Sequence, residues 1–290
     1  MSGLLIRQAL TEDTAAVQGL CTQINPHDYV ITAWPHWLAL PSAANLVADM
    51  GGQVVGCIHA EGITAREGWI QALRVHPNAQ RRGVGSQLLI AGQTALKSAG
   101  IRIVRAAIGA GNLPSRRLVK VAGWRIVEHI LRRRSSGRTG PMRRSYHPGA
   151  EDAWRLLRKS TVLASRSHTA HYGRVYFSWT REYVQEQVRQ HALLISSDSR
   201  CLAVLDAASS GETGATWIVG ILGGRSALSG LLQDVLAEAA GRGLDVIIDS
   251  PARASIQRAL SVMNFSPPKS DADFVVVEYP MDSWVNSLAR

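Results

Sequence analysis

The chain has 290 residues, a formal charge of +10, 46% hydrophobic and 19% charged side chains, a composition that argues against a disordered or collagen-like chain. Three cysteines, Cys21, Cys57 and Cys201, stand far apart in apolar contexts without Cys-x-x-Cys spacing, which argues against a disulfide scaffold or a zinc ribbon and for buried reduced thiols. Residues 1–145 hold 18 Lys/Arg against 7 Asp/Glu and residues 146–290 hold 14 against 15, so the basic excess sits in the first half, where it suits a ligand with several phosphates or a nucleic acid equally.

The length allows one large or two ordinary domains. No apolar run reaches membrane-spanning length and no signal-type apolar region follows Met1, so no membrane partner and a cytoplasmic location are expected. In chain order, Leu4 to Ala9 reads as a first strand. Thr11-Glu12-Asp13-Thr14 then opens a helix, with a hydroxyl cap and acidic first turn, running towards Ile24. Asn25 to Ala44 concentrates His27, Tyr29, Trp34, His36 and Trp37 between prolines and reads as a core helix or as a pocket wall. Ala44–Met50 and Gln53–Ala60 form a hairpin about Gly51-Gly52. A loop from Glu61 to Gly68 leads to a strand from Trp69 to Val75, stopped by Pro77.

After that strand comes Gln80-Arg81-Arg82-Gly83-Val84-Gly85-Ser86, and Val84, Leu88, Ala91, Ala95 and Ala99 then recur at helical spacing. Glycines at a helix N-terminus let an anion approach free amide hydrogens and the positive end of the helix dipole, and two arginines add charge. The dinucleotide fingerprint and the Walker loop do not fit, because no third glycine and no Gly-Lys-Ser/Thr follow. A strand from Arg102 to Ile108 leads to Asn112-Leu113-Pro114-Ser115 and on to Gly123-Trp124, and a strand from Arg125 to Leu131 follows. The arginine-rich run from Arg132 to Arg144 reads as a linker, or as a nucleic-acid contact without interleaved aromatics.

The second half repeats the first in outline at an offset of about 140 residues, a period fit for a duplicated domain and not a solenoid. Glu151-Asp152 opens a helix, Trp217–Leu222 reads as a strand, Ser226–Ala240 as a helix with Leu228, Leu231, Leu232, Val235 and Ala239 on one face, and Leu244–Ile248 as a strand. Gly223-Gly224-Arg225-Ser226 stands where the first half has its glycine loop, but lacks the Gln, the spacing and the second basic residue.

The phrase Val-x-Pro-x-x-Gln-x-x-Gly-x-Gly-x-x-Leu-Leu, from Val75 to Leu89, resembles the coenzyme A loop of the GNAT superfamily of acetyl-CoA-dependent N-acetyltransferases. Asn112 to Trp124 is similar to that family's second motif. The resemblance implies an α/β (α+β) chain of two tandem GNAT-like domains, each with a mixed, mostly antiparallel central sheet flanked by helices. Residues 1–131 would be the domain with the acetyl-CoA site, 132–144 a basic linker, and 145–290 a degenerate copy. It further implies cofactor contacts from Leu73, Arg74, Val75, Gln80, Arg81, Arg82, Gly83, Val84, Gly85, Ser86, Asn112 and Ser115. An amide near Leu73 or Arg74 would polarise the thioester carbonyl, and transfer would be direct.

The chain departs from the family pattern at two places. Val119 stands where a Tyr acid is common, and Trp69 and Gln71 stand where a glutamate base sometimes occurs. Glu67, His59 and Glu61 remain as catalytic candidates, with His76, His27, Tyr29 and His36 behind them. No metal is expected. The expected activity is acetyl transfer from acetyl-CoA to a small-molecule or peptide amine. The alternatives are an acetyl-CoA-binding or nucleic-acid-associated protein without turnover, and a tandem enzyme using a larger acyl or aminoacyl donor. Neither the acceptor nor the oligomeric state follows from the residues.

Overall fold

In the computed structural model the described residues are 3–135, 145–159, 169–171, 175–199, 201–207, 215–221, 225–241, 245–267 and 272–281. They group into two units, the first from residues 1–106, 113–125 and 277–290, the second from residues 107–112 and 126–276. The first unit begins with β1 (Leu4–Gln8), α1 (Thr14–Ile24), α2 (Val30–Leu38), β2 (Ala43–Met50), β3 (Gln53–Gly62), β4 (Glu67–Val75) and α3 (Val84–Ser98). β5 (Ile103–Gly109) passes from the first unit into the second after Ala106, and α4 (Leu113–Val121) returns to the first.

Strands β1 to β5 lie in sequence order, antiparallel except for the parallel pair β4–β5. Gly51 and Gly52 have φ of 64° and 84°, the left-handed backbone that a two-residue hairpin turn requires and glycine adopts without strain. One face of the sheet carries α3. A Cβ on Gly56 would stand 2.9 Å from the Arg74 carbonyl and from Leu88 Cδ1, so only glycine permits that approach of helix and strand. On the other face Val17, Leu20, Cys21, Val30 and Trp34 pack on Val47, Cys57 and Ala72. The expected loop from Glu61 to Gly68 is shorter than the spacing suggests, because Glu67 and Gly68 already belong to β4; both carboxylates that read as solvated loop charges lie on strands.

The second unit contains β6 (Arg125–Ser135) after its first residue, α5 (Ala150–Lys159), β7 (Thr169–His171), β8 (Val175–Phe177), α6 (Arg181–Arg189), β9 (Leu193–Ile195), β10 (Leu202–Ala207), β11 (Ala215–Ile221), α7 (Arg225–Gly241), β12 (Asp245–Pro251) and α8 (Ala254–Val262). The order β9-β10-β11-β12 is antiparallel, antiparallel, parallel, the same succession as β2-β3-β4-β5. The expected α7 face of Leu228, Leu231, Leu232, Val235 and Ala239 packs in one core with Val246, Ile248, Ile256 and Leu260. Asn264, φ 58°, ends α8 in the left-handed conformation in which Gly123, φ 83°, ends α4.

The expected linker begins later than its composition indicates. β6 continues to Ser135, and residues 136–144 lie outside the described residues. Arg132 pairs with Asp249 of β12 at 2.5–2.7 Å. Arg133 is buried without a carboxylate: its guanidinium donates to the carbonyls of Gln257, Phe265 and Ser266 around the end of α8. That negative helix end compensates part of the charge, while burial pushes the Arg133 guanidinium below its ordinary value. Both arginines face partners inside the unit, which removes them from any nucleic-acid surface.

The last strand, β13 (Phe274–Pro280), is divided between the units, and from Val277 onward it is part of the first. There Glu278 Oε2 accepts from Arg105 Nε at 2.9 Å and Oε1 from Arg125 Nη2 at 2.6 Å, while Arg105 Nη1 donates to Glu67 Oε2 at 2.8 Å. Burial alone would push the Glu278 carboxyl up, but Arg125 and Arg105 together hold it below the usual carboxylate range. On the opposite side of β4, Arg74 clamps the segment before α2: its Nε and Nη2 donate to Asp28 at 2.6 and 2.9 Å, and Asp28 Oδ1 accepts the Val30 amide.

Glu278→Ala leaves the buried Arg105 with one of its two carboxylate partners and is expected to cost about 3 kcal/mol of stability in urea unfolding, against less than about 1 kcal/mol for the exposed Arg125→Ala. Because the folded Glu278 carboxyl lies below its unfolded value, its contribution is present above the ordinary carboxylate range and is lost as pH falls through the folded value. Acid titration of Glu278→Gln should lack that component. Arg74→Ala is expected to cost about 3–5 kcal/mol for the same reason, and Arg74→Lys should not restore it, because an ammonium cannot make the two-pronged bond to Asp28.

Candidate functional site

A bulge in β4 shapes the site. Cys57 pairs with Arg74, but His59 pairs with Gln71, so Ala72 and Leu73 together face one residue of β3. Ala72 takes φ 59°, a left-handed conformation that a residue with a Cβ adopts only under local constraint. The parallel ladder to β5 joins Glu67–Trp69 to Ile103–Arg105 and ends there, whereas β4 runs on to Val75. The bulge turns Leu73 out of the ladder pattern, which is how a strand presents an amide to a ligand.

Leu73, Arg74 and Val75 are half-buried. Arg74's side chain is committed to Asp28, which leaves its backbone for a ligand. The Leu73 carbonyl accepts from Arg74 Nη1 at 3.1 Å and the Val75 carbonyl from Gln80 Nε2 at 3.2 Å. Gln80 thus braces the exit of β4 with its side chain, a role its place in the motif did not disclose. His76 is a loop brace as well: its Nδ1 accepts the Asn78 amide at 3.2 Å and its Nε2 lies 3.0 Å from Gln23 Oε1.

Beyond a 3-10 turn at Pro77–Ala79, Arg81 takes φ 61° and Gly83 φ 80°, and α3 starts at Val84. The Gln87 amide bonds back to the Gly83 carbonyl at 3.0 Å; the amides of Val84, Gly85 and Ser86 precede that bond at the positive end of a 15-residue helix. Arg81, Arg82, Gly83 and Ser86 are exposed. A Cβ on Gly83 would meet only Gln87 Nε2, 4.0 Å away, and one on Gly85 would lie 3.7 Å from Val75 Cγ2 and Leu118 Cδ2. The loop is therefore open over Gly83 and closed by β4 and α4 under Gly85. These groups fit a pyrophosphate: an open backbone, unpaired helix amides and two arginines. Asn112 stands immediately before α4, its amide donating to the Gly109 carbonyl, and Ser115 lies in the helix's first turn. Gly223 and Gly224 of the second half lie outside the described residues.

The three catalytic candidates share the sheet face opposite α3, as strand alternation and register require: Glu61 lies across from Trp69, His59 across from Gln71, and Glu67 two residues before Trp69. They differ in their partners. Glu67 is buried against Arg105 and belongs to the ion network with Glu278, which commits its carboxylate to that network. His59 is fully buried, its Nδ1 2.7 Å from Asn45 Oδ1, its ring stacked on Trp37 at 4.3 Å. Asn45 Nδ2 in turn donates to the Trp37 carbonyl at 2.8 Å. Glu61 Oε1 lies 3.4 Å from His59 Nε2. Tyr29 meets Trp37 edge-on at 6.0 Å and lies under the Arg74 guanidinium, while His36 and His27 are exposed. Val119 is buried and apolar, so α4 carries no proton donor at that position. Asn45, Asp28 and the bulge escaped sequence reading; a lone Asn or Asp in an apolar stretch gives no spacing signal. Among the described residues no group of three or more His, Cys, Asp or Glu could hold a metal ion, and no helix is long and apolar enough to cross a membrane.

No curated protein sequence matches the chain. Solved structures do. A GCN5-related N-acetyltransferase from Sphaerobacter thermophilus is 16% identical with a TM-score of 0.65, the match covering 96% of each chain. The GCN5-related glucosamine N-acetyltransferase region of a fungal multi-domain GH3 β-N-acetylglucosaminidase is 13% identical with a TM-score of 0.64, over 96% of this chain and 38% of that one. A GCN5-related N-acetyltransferase from Kribbella flavida is 13% identical with a TM-score of 0.53, over 97% and 72%. At these identities the likeness is one of fold. The acetyltransferase (GNAT) family matches residues 11–124, a span that contains the bulged strand, the glycine loop and the second motif. Over that span the chain carries a domain of the GNAT family of acetyltransferases.

Proposed function

We propose that the first unit transfers an acetyl group from acetyl-CoA directly to the amine of a small-molecule or peptide acceptor in the cytoplasm, and that residues 145–290 are a degenerate second copy. The observation that carries this reading is the left-handed Gly83 at the head of α3, following a bulged β4. The α3 amides and the exposed Arg81 and Arg82 bind the pyrophosphate of the donor, with Gly83 and Gly85 allowing its approach and Gln80 bracing the loop. The backbone of Leu73, Arg74 and Val75 aligns the pantetheine arm, and Asn112, just before α4, and Ser115, in its first turn, contact it. The Leu73 amide donates to the thioester carbonyl oxygen as negative charge develops there. The succession of strand pairings shared by β2–β5 and β9–β12 supports the duplicated reading of the second half.

The test is calorimetry with acetyl-CoA. The intact chain should bind one equivalent, and Gly83→Glu should abolish binding by setting a carboxylate on the anion site. Because a side chain at φ 80° strains the backbone by about 1–2 kcal/mol, a thermal melt of the variant serves as the control for folding. Arg81→Ala with Arg82→Ala should weaken binding about tenfold or more and flatten its dependence on salt. Two equivalents bound would transfer donor binding in part to the second half, and none would remove the acetyltransferase reading.

A further inference from the structure

The His59 side chain is completely buried, and its Nε2 makes no hydrogen bond. Its protonation state follows from its neighbours. Asn45 spends its amide nitrogen on the Trp37 carbonyl, so its oxygen faces His59 and only a donor can sit opposite. Nδ1 therefore carries the proton. An uncharged His59 then turns the Nε2 lone pair towards Glu61 Oε1, 3.4 Å away. Two acceptors at that separation repel each other until one proton lies between them. Glu61 is half-buried, at the open end of this arrangement, and Trp37 seals the other face of the ring by stacking. Asn45 from β2 and Trp37 from α2, both uncharged, touch the ring, and Gln71 stands opposite His59 in the β4 register. On the same face of β3, Cys57 donates to the Ala72 carbonyl.

We propose that Glu61 and His59 are the proton acceptor of the transfer reaction, with Asn45 and Trp37 as positioning residues; this rests on the acetyltransferase reading above. Glu61 takes a proton from the acceptor ammonium and shares it with His59 Nε2, so that the pair gains one positive charge and the amine is left neutral. The amine nitrogen then forms the C–N bond at the thioester carbonyl. As the C–S bond breaks, the second proton lost by nitrogen passes to the sulfur, and coenzyme A leaves as the thiol. The pair returns its proton to water through the exposed edge of Glu61. The register supports the placement, because His59 stands opposite Gln71, two residues before Leu73. Glu67, locked to Arg105, has no part in it.

The experiment follows the histidine ring nitrogens of the full chain by NMR and uses His59→Gln to identify the His59 signals. In the wild type Nδ1 should stay protonated through a pH titration while Nε2 takes up one proton as the pH falls, and Glu61→Gln should displace that uptake to lower pH while leaving Nδ1 unchanged. With acetyl-CoA and benzylamine, Glu61→Gln should lower kcat/KM about 100-fold and abolish the acidic limb of the pH profile, with acetyl-CoA affinity unchanged. Asn45→Asp keeps an acceptor opposite Nδ1 and should leave the ring tautomer unchanged. If Glu61→Gln leaves both the ring signals and the pH profile as in the wild type, the pair is not the acceptor of the proton. Acetyl-CoA affinity measured on the same samples keeps that failure separate from a failure of donor binding.

Discussion

The buried Arg105 guanidinium is the constraint around which the first unit is arranged. A cation in the interior demands anions, and here it takes Glu67 from the start of β4 and Glu278 from β13, with Arg125 closing the set. Such a network adds little net stability over an apolar core of the same shape, but removal of one member is expensive. Its value lies in specifying neighbours. Only one alignment of β4, β5 and the end of β13 lets the charges meet, so the strand that carries the bulge is fixed in register before the bulge begins.

From that fixed start, β4 changes character within a few residues. Glu67 to Trp69 are ladder residues on both sides, Ala72 is left-handed, and Arg74 is tied to the loop before α2. Two backbone departures, at Ala72 and at Gly83, bracket the end of β4 and the glycine loop. One has a Cβ and is held by packing against Cys57, Val47 and Trp34; the other is a glycine and is free of that requirement. The division matches the proposed tasks, the first holding an amide still and the second leaving room for a phosphate.

The glycine loop, the helix after it and the apolar face of α7 were legible in the sequence, because glycine before a helix and leucines at helical spacing have direct conformational meanings. The site's polar supports were not. Arg74 and Asp28 are 46 residues apart, and Arg105 and Glu278 are 173 apart, so no local pattern links them. The run Arg132–Arg134 misled for a related reason: arginines are read as solvated, and the carboxylate and carbonyls that accept them come from Asp249 and from the end of α8. Glu67, Glu61 and His59 were candidates together on their residue types, and only the structure separates them, by placing Glu67 against Arg105 and Glu61 beside His59.

The contribution of Glu278 also bears on how the chain is made. A ribosome emits residues in order, and a domain usually folds as soon as its own segment is free. Here Glu278, the second carboxylate on Arg105, is made 173 residues after it, so the bulged strand, the glycine loop and their helix leave the ribosome well before the ion network beneath them is complete. Throughout that interval the first unit is an incomplete body with an exposed strand edge where β13 will later dock, a condition in which newly made chains are prone to pair with one another or to engage chaperones. Completion of that network thus comes late, although the bulged strand and the glycine loop both belong to the first half.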